Sequence, residues 1–478
     1  MDTKKLRQKI LDLAIHGKLV PQDPNDEPAS VLLERIRAEK EQLIKEGKIK
    51  APKKTKTTGD TSHYGKEGPW ELPEGWVWTT LGTVCHIAGR IGFRGYTKAD
   101  LVKENGAITL SPSNIIDGKM NFSHYTMISW EKYNESPEIQ VNVGDILLVK
   151  TGSSYGKAAL VDILPLQSTI NPQFVVLKHI LCDSYFLIHL LQSGYAKKLY
   201  DAFVLGTAIP TFTQAALNEM LIPLPPLSEQ RRIVTAINKW NNHISQVDKA
   251  EHDLQIIVDT CKAKVLDLAT HGKLVSQDPS DEPAIELLRR IKPDFTPSHN
   301  LHYMDSLPNG WCFSTIGDIF QHNTGKALNG IDHEGVMLRY ITTSNLYWDR
   351  FDLSEERTMP FTEKEQEKCR AQKGDLLVCE GGDIGRAAIW PYEESIMIQN
   401  HIHRLRPKAP FSVRFFYYIF YLYKQKGLIG GKGIGIQGLS SRELDKMVIP
   451  VPPVNEQHRI VTAVEEKFAV LDTIADCC

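Results

Sequence analysis

Long hydrophobic runs are absent from this chain of 478 residues, and the longest one, residues 415 to 423, has only nine. A membrane-spanning helix needs about 20 apolar residues, and the N-terminal segment MDTKKLRQKILDL lacks the apolar core of a signal peptide. The eight cysteines are scattered, without a CxxC pair or a Cys/His cluster at zinc spacing. We therefore expect a cytoplasmic protein without a metal site.

An excess of positive charge is also absent, because 56 Lys and Arg residues stand against 58 Asp and Glu residues, for a net charge of −2. This balance argues against a stand-alone nucleic-acid-binding protein, so any DNA-binding face must be local or shared with partners. The one dense basic segment is KEGKIKAPKKTK, at residues 45 to 56. We predict a solvated, disordered arm there, with contact to DNA phosphates as the alternative.

The chain contains the same unit twice. Residues 9 to 36 return as residues 264 to 291 with 21 of 28 identities, and LIPLPPLSEQRRIVTAI (221 to 237) returns as VIPVPPVNEQHRIVTAV (448 to 464) with 11 of 17. LPEGWVWTTLGTV (72 to 84) is likewise repeated as LPNGWCFSTIGDI (307 to 319). Repeats in the same order indicate two tandem copies of one scaffold.

A long helix is predicted in the middle of the chain. From Glu229 to His271 there is no proline or glycine, and apolar residues recur at alternating steps of four and three, which is typical of a coiled coil. Ser228 is expected to cap its start. The predicted seam consists of Ile233, Ile237, Trp240, Ile244, Val247, Glu251, Leu254, Val258, Cys261, Val265 and Leu268.

The two chain ends match the two halves of this central helix, since the repeat offsets align Cys478 with position 251 and Met1 with position 256. We therefore predict a circular arrangement in which the N- and C-terminal segments rebuild a second, antiparallel helix against the central one. Two independent helical hairpins in separate domains are the alternative. His16 and His271 are predicted to lie at helix ends that the following glycine caps.

The segments between the repeats diverge and alternate strand-like with helix-like stretches. AITL (107 to 110), DILLV (145 to 149) and FVVL (174 to 177) are strand candidates, matched by LRYIT, DLLVC and IHRL in the second copy. Helical patterns follow at residues 185 to 203 and 413 to 426. The expected fold class is mixed α/β, with a curled sheet in each insert.

Glycine-rich polar loops follow the strands and are the candidate base-reading elements. KTGSSYGK (150 to 157) offers mainly donors, whereas its counterpart CEGGDIGR (379 to 386) offers carboxylates beside an arginine. Since Arg or Lys reads guanine, Asn or Gln reads adenine and a carboxylate can accept from cytosine, the two loops would read different bases. Glycine-rich turns with exposed polar side chains are the alternative. The candidates are Lys150, Ser153, Ser154, Tyr155, Lys157, Glu380, Asp383, Arg386 and the pairs Ser113, Asn114 and Ser344, Asn345.

Basic residues near the ends of the inserts are candidate phosphate contacts. They are Arg90 and Arg94 in GRIGFRGY, and Lys432 in GGKGIGIQG. Three apparent catalytic motifs are incomplete: GIGIQG follows a helix-like segment, GSSYGKA has Ala158 where a phosphate loop needs Ser or Thr, and NPQF has Gln173 in place of the second proline of a methyltransferase tetrad. We expect no catalytic residues and no bound cofactor in this chain.

The order of these motifs resembles the specificity subunits of bacterial type I restriction-modification systems. The resemblance rests on LPEGW and LPNGW before the inserts, PLPPLSEQRRIV and PVPPVNEQHRIV after them, and the repeated HGKLV segment, and it covers nearly the whole chain. It implies two target recognition domains, each reading half of a split double-stranded DNA site, and helices that set the spacing and dock two modification subunits. S-adenosylmethionine, ATP and magnesium would belong to those subunits and to two restriction subunits that can join them.

The same resemblance implies structural or partner-docking roles for Trp76, Trp311, Glu229, Gln230, Arg232, Glu456, Gln457 and Arg459. Two other functions stay open: a coiled-coil protein scaffold that does not bind DNA, and a self-sufficient DNA adenine methyltransferase based on NPQF. The predicted segments are the N-terminal half-helix (1–36), a basic connector (37–71), recognition domain 1 (72–227), the central helix (228–291), a connector (292–306), recognition domain 2 (307–454) and the C-terminal half-helix (455–478).

Overall fold

A computed structural model of the chain describes residues 2–49, 68–90, 95–205, 209–298, 307–327, 334–355, 357–429 and 439–476. The chain forms two compact units, Met1–Lys249 and Ala250–Cys478. The boundary between them lies inside the longest helix, Leu227–Thr270. None of the helices in the described residues is both long and apolar enough to cross a membrane.

The first unit combines short strands with helices. Its helices are α1 (Thr3–Ile15), α2 (Ala29–Lys45), α3 (Leu81–Val84), α4 (Trp130–Asn134), α5 (Ser184–Leu191), α6 (Gly194–Phe203), α7 (Gln214–Asn218) and the first half of α8 (Leu227–Thr270). Its strands are β1 (Val77–Thr80), β2 (His86–Gly89), β3 (Leu101–Val102), β4 (Ala107–Leu110), β5 (Ile115–Ile116), β6 (Lys119–Met120), β7 (Thr126–Ile128), β8 (Gln140–Val141), β9 (Ile146–Val149), β10 (Ala158–Leu160), β11 (Ser168–Ile170), β12 (Phe174–Lys178) and β13 (Leu221–Leu224).

The second unit repeats this plan. Its helices are the rest of α8, α9 (Ala284–Ile291), α10 (Ile316–Ile319), α11 (Glu363–Cys369), α12 (Val413–Gln425), α13 (Ser441–Asp445) and α14 (Val454–Asp476). Its strands are β14 (Cys312–Thr315), β15 (Phe320–Thr324), β16 (Val336–Ile341), β17 (Leu346–Tyr347), β18 (Arg350–Phe351), β19 (Arg357–Phe361), β20 (Arg370–Ala371), β21 (Leu376–Cys379), β22 (Ala387–Ile389), β23 (Ile396–Ile398), β24 (Ile402–Pro407) and β25 (Val448–Val451).

Two main sheets form the centre of each insert. In the first unit the strand orders are β10-β9-β12-β2 and β3-β7-β4-β11-β8, and in the second they are β15-β24-β21-β22 and β19-β16-β23-β20. One parallel pair, β4 with β11 or β16 with β23, makes the second sheet of each insert mixed. These sheets and the flanking helices confirm the predicted mixed α/β class.

The central strand β9 shows how the sheet is buried on both faces. Ile146 and Leu148 belong to the core shared with the helices, whereas Leu147 and Val149 belong to the core between the sheets. Alternate side chains of a strand point to opposite faces, so the continuous apolar run ILLV is required by two cores. Strand β21 repeats this division in the second unit.

Each insert begins and ends at one pair of antiparallel strands. β1 pairs with β13, so that Val77 lies opposite Leu224, and β14 pairs with β25, so that Cys312 lies opposite Val451. The two ends of an insert therefore leave the repeated part of the unit side by side.

The central helix forms as predicted, but its seam is only half buried. Ile237, Ile244 and Val258 are at most 2% exposed. Trp240 and Val247, which were predicted to alternate with them, are 48% and 37% exposed, and Cys261 is exposed as well. The periodicity therefore predicted the helix correctly but was wrong about the burial of Trp240, Val247 and Cys261.

Each chain end packs antiparallel on the half of α8 that lies in its own unit. In the first unit Arg7 donates to Asp248 at 3.0 Å and Gln22 donates to Glu229 at 3.1 Å. In the second, Lys262 pairs with Asp472, and Gln277 donates to Glu456 at 3.1 Å. The terminal segments thus accompany the central helix in two halves, as predicted.

Three local predictions have different outcomes. Gly17 and Gly272 have φ of 65° and 64° and close their helices with paired backbone hydrogen bonds, which confirms the predicted caps. Ser228 is not the N-cap, because α8 already begins at Leu227 after two prolines. The helix predicted over residues 185 to 203 is two helices, since Ser193 ends one and caps the next by accepting from the backbone N–H of Ala196.

Candidate nucleic-acid interface

A buried carboxylate joins each recognition domain to the start of a long helix. Trp76 Nε1 donates to Glu229 Oε2 at 2.9 Å, and Trp311 Nε1 donates to Glu456 Oε2 at the same distance. Both carboxylates are 1% exposed. Burial raises the pKa of Glu229 and of Glu456 above the ordinary value, although the hydrogen bonds from the tryptophans and from Gln22 and Gln277 act in the opposite direction.

The next residue along each helix holds the insert. Gln230 Oε1 accepts the backbone N–H of Asp183 at 2.9 Å, and its amide donates to Pro225 O at 2.9 Å. Gln457 makes the same two bonds, to Ser412 N and Pro452 O, also at 2.9 Å. Both side chains are fully buried, so their described contacts are structural.

Two arginines one turn further on pair with aspartates of the repeated segment. Arg232 forms a bidentate pair with Asp26 at 2.6 and 3.2 Å, and Arg459 donates to Asp281 at 2.6 Å. The eight positions predicted to be structural or partner-docking are thus occupied by contacts within their own unit. Docking of a partner through them stays a prediction.

The first candidate reading loop, residues 150 to 157, connects β9 to β10. Its base is fixed by Lys150, whose backbone N–H donates to Gln173 O at 2.8 Å and whose backbone oxygen accepts Phe212 N at 3.1 Å. Ser153 and Lys157 are exposed, and Ser154 is half-buried. Partial burial lowers the pKa of the Lys150 ammonium group. The loop therefore presents hydroxyl and ammonium donors at its tip.

Tyr155 differs from the other residues of this loop. Its hydroxyl donates to Asp201 Oδ1 at 2.7 Å, and the ammonium group of Lys197 lies 4.2 Å from the centroid of its ring. The phenol is thus already bonded inside the domain, and its predicted contact with DNA stays untested.

The second candidate loop, residues 379 to 386, connects β21 to β22 and contains two carboxylates and an arginine. Glu380 is half-buried, and Asp383 accepts from Lys424 at 2.8 Å and lies 3.8 Å from Arg386. Arg386 Nη2 donates to Thr343 O at 2.7 Å. This loop therefore combines carboxylates with a guanidinium donor, whereas the first loop has hydroxyl and ammonium donors.

Two residues beside the second loop were missed by the sequence reasoning. The guanidinium groups of Arg350 and Arg386 lie 4.5 and 5.3 Å from the ring centroid of Tyr347. Tyr347 and Arg350 belong to the short β17–β18 hairpin, which no sequence pattern had singled out. The exposed Arg350 adds a cation to this face.

The predicted Ser-Asn pairs divide into an exposed serine and a buried asparagine. Asn114 accepts from Ser111 N at 2.9 Å and donates to Asn121 O and His124 O at 3.1 and 2.8 Å.

Asn345 likewise accepts from Thr342 N at 3.0 Å and donates to Asp352 O at 2.9 Å. Since both amides are used inside the domain, the geometry favours a structural role for Asn114 and Asn345. Ser113 and Ser344 remain exposed. A signal existed in the sequence, because Ser-x-x-Asn and Thr-x-x-Asn have capping-box spacing.

Of the three candidate phosphate contacts, only Arg90 lies in the described residues. Arg90 is 6% exposed, and it donates to Ile170 O at 3.1 Å and Thr169 Oγ1 at 3.3 Å. Burial lowers the pKa of its guanidinium group. These contacts place it inside the first domain. Arg94 and Lys432 lie outside the described residues.

In the second unit, the sheet β15-β24-β21-β22 contains a buried histidine pair where the corresponding sheet of the first unit, β10-β9-β12-β2, has apolar side chains. His322 bonds to Asp445 at 2.8 Å and to His403 at 2.9 Å, and His403 bonds to Leu439 O at 2.6 Å. By strand register, Ile87 and Val175 occupy the corresponding positions in the first unit. Burial lowers the pKa of His403 to about 4.

Two of the three incomplete catalytic motifs, NPQF and GSSYGKA, lie in the described part of the chain, whereas GIGIQG (433 to 438) lies outside it. In NPQF, the Asn171 side chain accepts from Gln173 N at 2.9 Å and donates to Gln173 Oε1 at 3.1 Å, so this amide is engaged locally. The loop at 152 to 158 runs into strand β10 instead of the helix that a phosphate loop needs. Within the described ranges, no group of His, Cys, Asp and Glu could hold a metal ion. That the chain itself binds no S-adenosylmethionine or nucleotide stays a prediction.

Comparison with known proteins gives a consistent result. A family described as "Type I restriction modification DNA specificity domain" matches residues 73–251 and 308–473. The chain is 26% identical to the type I restriction enzyme EcoAI specificity subunit of Escherichia coli, over 97% of this chain and 88% of that protein. It is also 26% identical to the EcoEI specificity subunit of the same organism, over 98% and 90%. A chain from a solved structure on complex assembly and conformational transition of the type I R-M system has a similar fold, with a TM-score of 0.60 at 20% identity, over 86% of this chain and 94% of that one.

Proposed function

Because the chain belongs to the type I restriction-modification DNA specificity family, we propose that it recognises a bipartite, asymmetric DNA sequence. Each recognition domain reads one half-site. The single observation that supports this most strongly is a repeated frame around unlike loops. The same Trp–Glu and Gln–backbone hydrogen bonds form in both units. In contrast, the loop between β9 and β10 offers donors, and the loop between β21 and β22 offers carboxylates.

We place the base contacts on side chains of these loops that are exposed or half-buried, and on the hairpin beside the second loop. In the first unit these are Ser153, Ser154 and Lys157, and in the second they are Glu380 and Arg386 with the neighbouring Arg350. Ammonium and guanidinium groups suit guanine, and a carboxylate suits the amino group of cytosine. The two half-sites would lie about one turn of DNA apart, as in dimeric major-groove readers with half-sites roughly 34 to 36 Å apart.

The chain acts, in this proposal, with modification subunits that carry the methyl-transfer chemistry, and restriction subunits can join them. Two modification subunits match the two copies of the repeated frame. S-adenosylmethionine, ATP and magnesium belong to those partners, and this chain is not itself an enzyme. The complex works in the cytoplasm, where it meets the DNA.

Methylation sequencing tests the proposal directly. The chain is expressed with its modification subunits in a methylation-free host, and the modified adenines are mapped by single-molecule sequencing. We expect one motif with two unlike halves and a fixed unspecific spacer. A single uninterrupted palindrome would contradict the proposal.

Changing the length of α8 tests the role of the helices. Deleting one heptad shortens the helix by about 10 Å, or roughly three base pairs of B-DNA. We expect the spacer between the half-sites to change while both half-sites remain readable. An unchanged spacer would show that the helix does not set the distance.

Two alternatives have their own tests. A protein scaffold without DNA contact would show no salt-dependent DNA binding even with modification subunits present. A self-sufficient methyltransferase would transfer labelled methyl groups to DNA as the purified chain alone. The local bonding of Asn171 argues against the second alternative.

A further inference from the structure

A lysine on a flanking helix contacts the candidate reading loop in both units. In the first unit, Lys197 of α6 lies over the Tyr155 ring and pairs with Asp201. In the second, Lys424 of α12 donates to Ile384 O at 2.9 Å and to Asp383 Oδ1 at 2.8 Å. These contacts join helix and loop residues that are more than 35 positions apart in the sequence.

The contacted points of the two loops are equivalent. Gly156 N donates to Val149 O and Gly385 N donates to Cys379 O, both at 2.8 Å, and the two glycines have φ of 83° and 82°. Counted back from these glycines, Tyr155 corresponds to Ile384. The two loops differ in length and composition, yet a lysine holds each at the residue before the glycine.

The glycines show why this point can be held closely. A Cβ atom at Gly156 would lie 2.8 Å from Cδ2 of Tyr200, and one at Gly385 would lie 2.6 Å from Cγ2 of Ile429. The loop backbone therefore approaches the segment behind it more closely than a side chain would allow. Each loop packs closely against Tyr200 or Ile429 on one side and contacts a lysine on the other, so its tip has a defined position.

We infer that Lys424 and the pair of Lys197 and Asp201 are positioning residues. They determine how strongly each domain discriminates its half-site from near-cognate sequences. The inference rests on the proposed function of the loops. The lysines do not contact bases themselves. Tyr155 in the first loop, and Ile384 together with Asp383 in the second, serve as their points of attachment. Discrimination by the remaining loop residues therefore depends on the helix behind the loop.

The exposure of these contacts makes the inference testable. The side chains of Lys197 and Asp201 are 53% and 49% exposed, and those of Lys424 and Asp383 are 27% and 40% exposed. The first pair is exposed and the second is partly exposed, and ion pairs that solvent can reach contribute little to folding. Their removal should therefore leave the melting temperature and complex assembly unchanged while the loop loses its fixed position.

The experiment compares variants of the full chain, each with its modification subunits, on a plasmid library that contains every single-base change of the recognised site. Lys197→Met and Lys424→Met keep the aliphatic stem and remove the ammonium group, and Lys424→Arg restores a donor. Lys198→Met, at an exposed neighbour on α6, is the matched control. Single-molecule sequencing gives the methylation rate at each near-cognate site relative to the cognate one.

We expect each Met variant to raise relative methylation at near-cognate sites about tenfold, the order of one base contact, and in one half-site only. Lys197→Met and Lys424→Met should affect opposite half-sites, Tyr155→Phe should reproduce the first effect, and Lys424→Arg should restore most of the discrimination.

A clear bipartite motif with unchanged discrimination in both Met variants would overturn the inference and leave the proposed function intact. Relaxation of the same half-site by both variants would also overturn it. The absence of any bipartite motif for the unaltered chain would overturn the proposed function, and the inference with it.

Discussion

Removal of the Glu229 carboxylate should weaken the first unit at one defined place. The substitution Glu229→Ala leaves Trp76 Nε1, in a side chain that is 6% exposed, without its acceptor. A buried donor without a partner costs about 1–3 kcal/mol, and the small cavity adds to this. Burial raises the pKa of Glu229, so the loss of a poorly solvated carboxylate offsets part of the cost. We expect a net destabilisation of about 2 kcal/mol.

Glu229→Gln separates the hydrogen bond from the charge. An amide oxygen can still accept from Trp76, and no charge has to be buried, so this variant should stay within about 1 kcal/mol of the unaltered chain. Glu456 has the same partners at the same distances in the second unit. The corresponding pair Glu456→Ala and Glu456→Gln therefore provides an internal repeat of the experiment.

Hydrogen exchange with peptide resolution is the appropriate assay, because a chain of two units need not unfold in one step. For Glu229→Ala, protection at residues 76 to 80 and at the start of α8 should fall about 30-fold, which corresponds to 2 kcal/mol. The equivalent peptides of the second unit should not change. Equal protection in the Ala and Gln variants would refute the assignment of the Trp76 hydrogen bond as the stabilising contact.

Three further predictions concern pH and stability. Burial raises the pKa of Glu229 and Glu456 above 4.5, so their contribution to stability is full below pH 4.5 and is lost as pH rises through the raised pKa. In urea titrations at a series of pH values, the double Gln variant should lose less stability over this range than the unaltered chain. The pKa of His403 is lowered from 6.5 to about 4, so its contribution to stability is lost as pH falls through that interval. The double substitution His322→Ile with His403→Val, which copies Ile87 and Val175, should reduce the loss of stability in acid. An unchanged dependence of stability on pH would rule out His403 as the source of that loss. Asn114→Ala should cost about 3 kcal/mol by freeing several buried partners, whereas Ser113→Ala should cost less than about 0.5 kcal/mol; equal effects in thermal melts would contradict the structural role of Asn114.

Periodicity and β-branched content predicted the elements well because both depend on neighbours in the sequence. AITL coincides with β4, and DILLV and FVVL differ from β9 and β12 by one residue. The burial of the α8 seam could not be predicted in the same way. Trp240 has the same spacing as Ile244, but their exposures of 48% and 2% depend on which row a partner helix covers.

The roles of polar loop residues were harder to predict, since their partners lie far away in the sequence. Tyr155 is a plausible base-reading residue until Asp201 is found at its hydroxyl. Arg386 acquires Thr343 and Tyr347 as neighbours only through the fold. Loop composition indicated that the two domains differ, but it did not separate the residues that hold a loop from those left free at its tip.

The strand pairs at the ends of each insert have a consequence for how such a protein can change. Because β1 lies beside β13 and β14 beside β25, about 5 Å separates the point where the chain leaves the repeated frame from the point where it returns. A foreign insert with equally close ends could be joined between Thr80 and Leu221, or between Thr315 and Val448, without moving the buried Trp–Glu contacts behind them. New reading domains could thus be acquired whole, by exchange at two narrow junctions, while the supporting helices remain as they are.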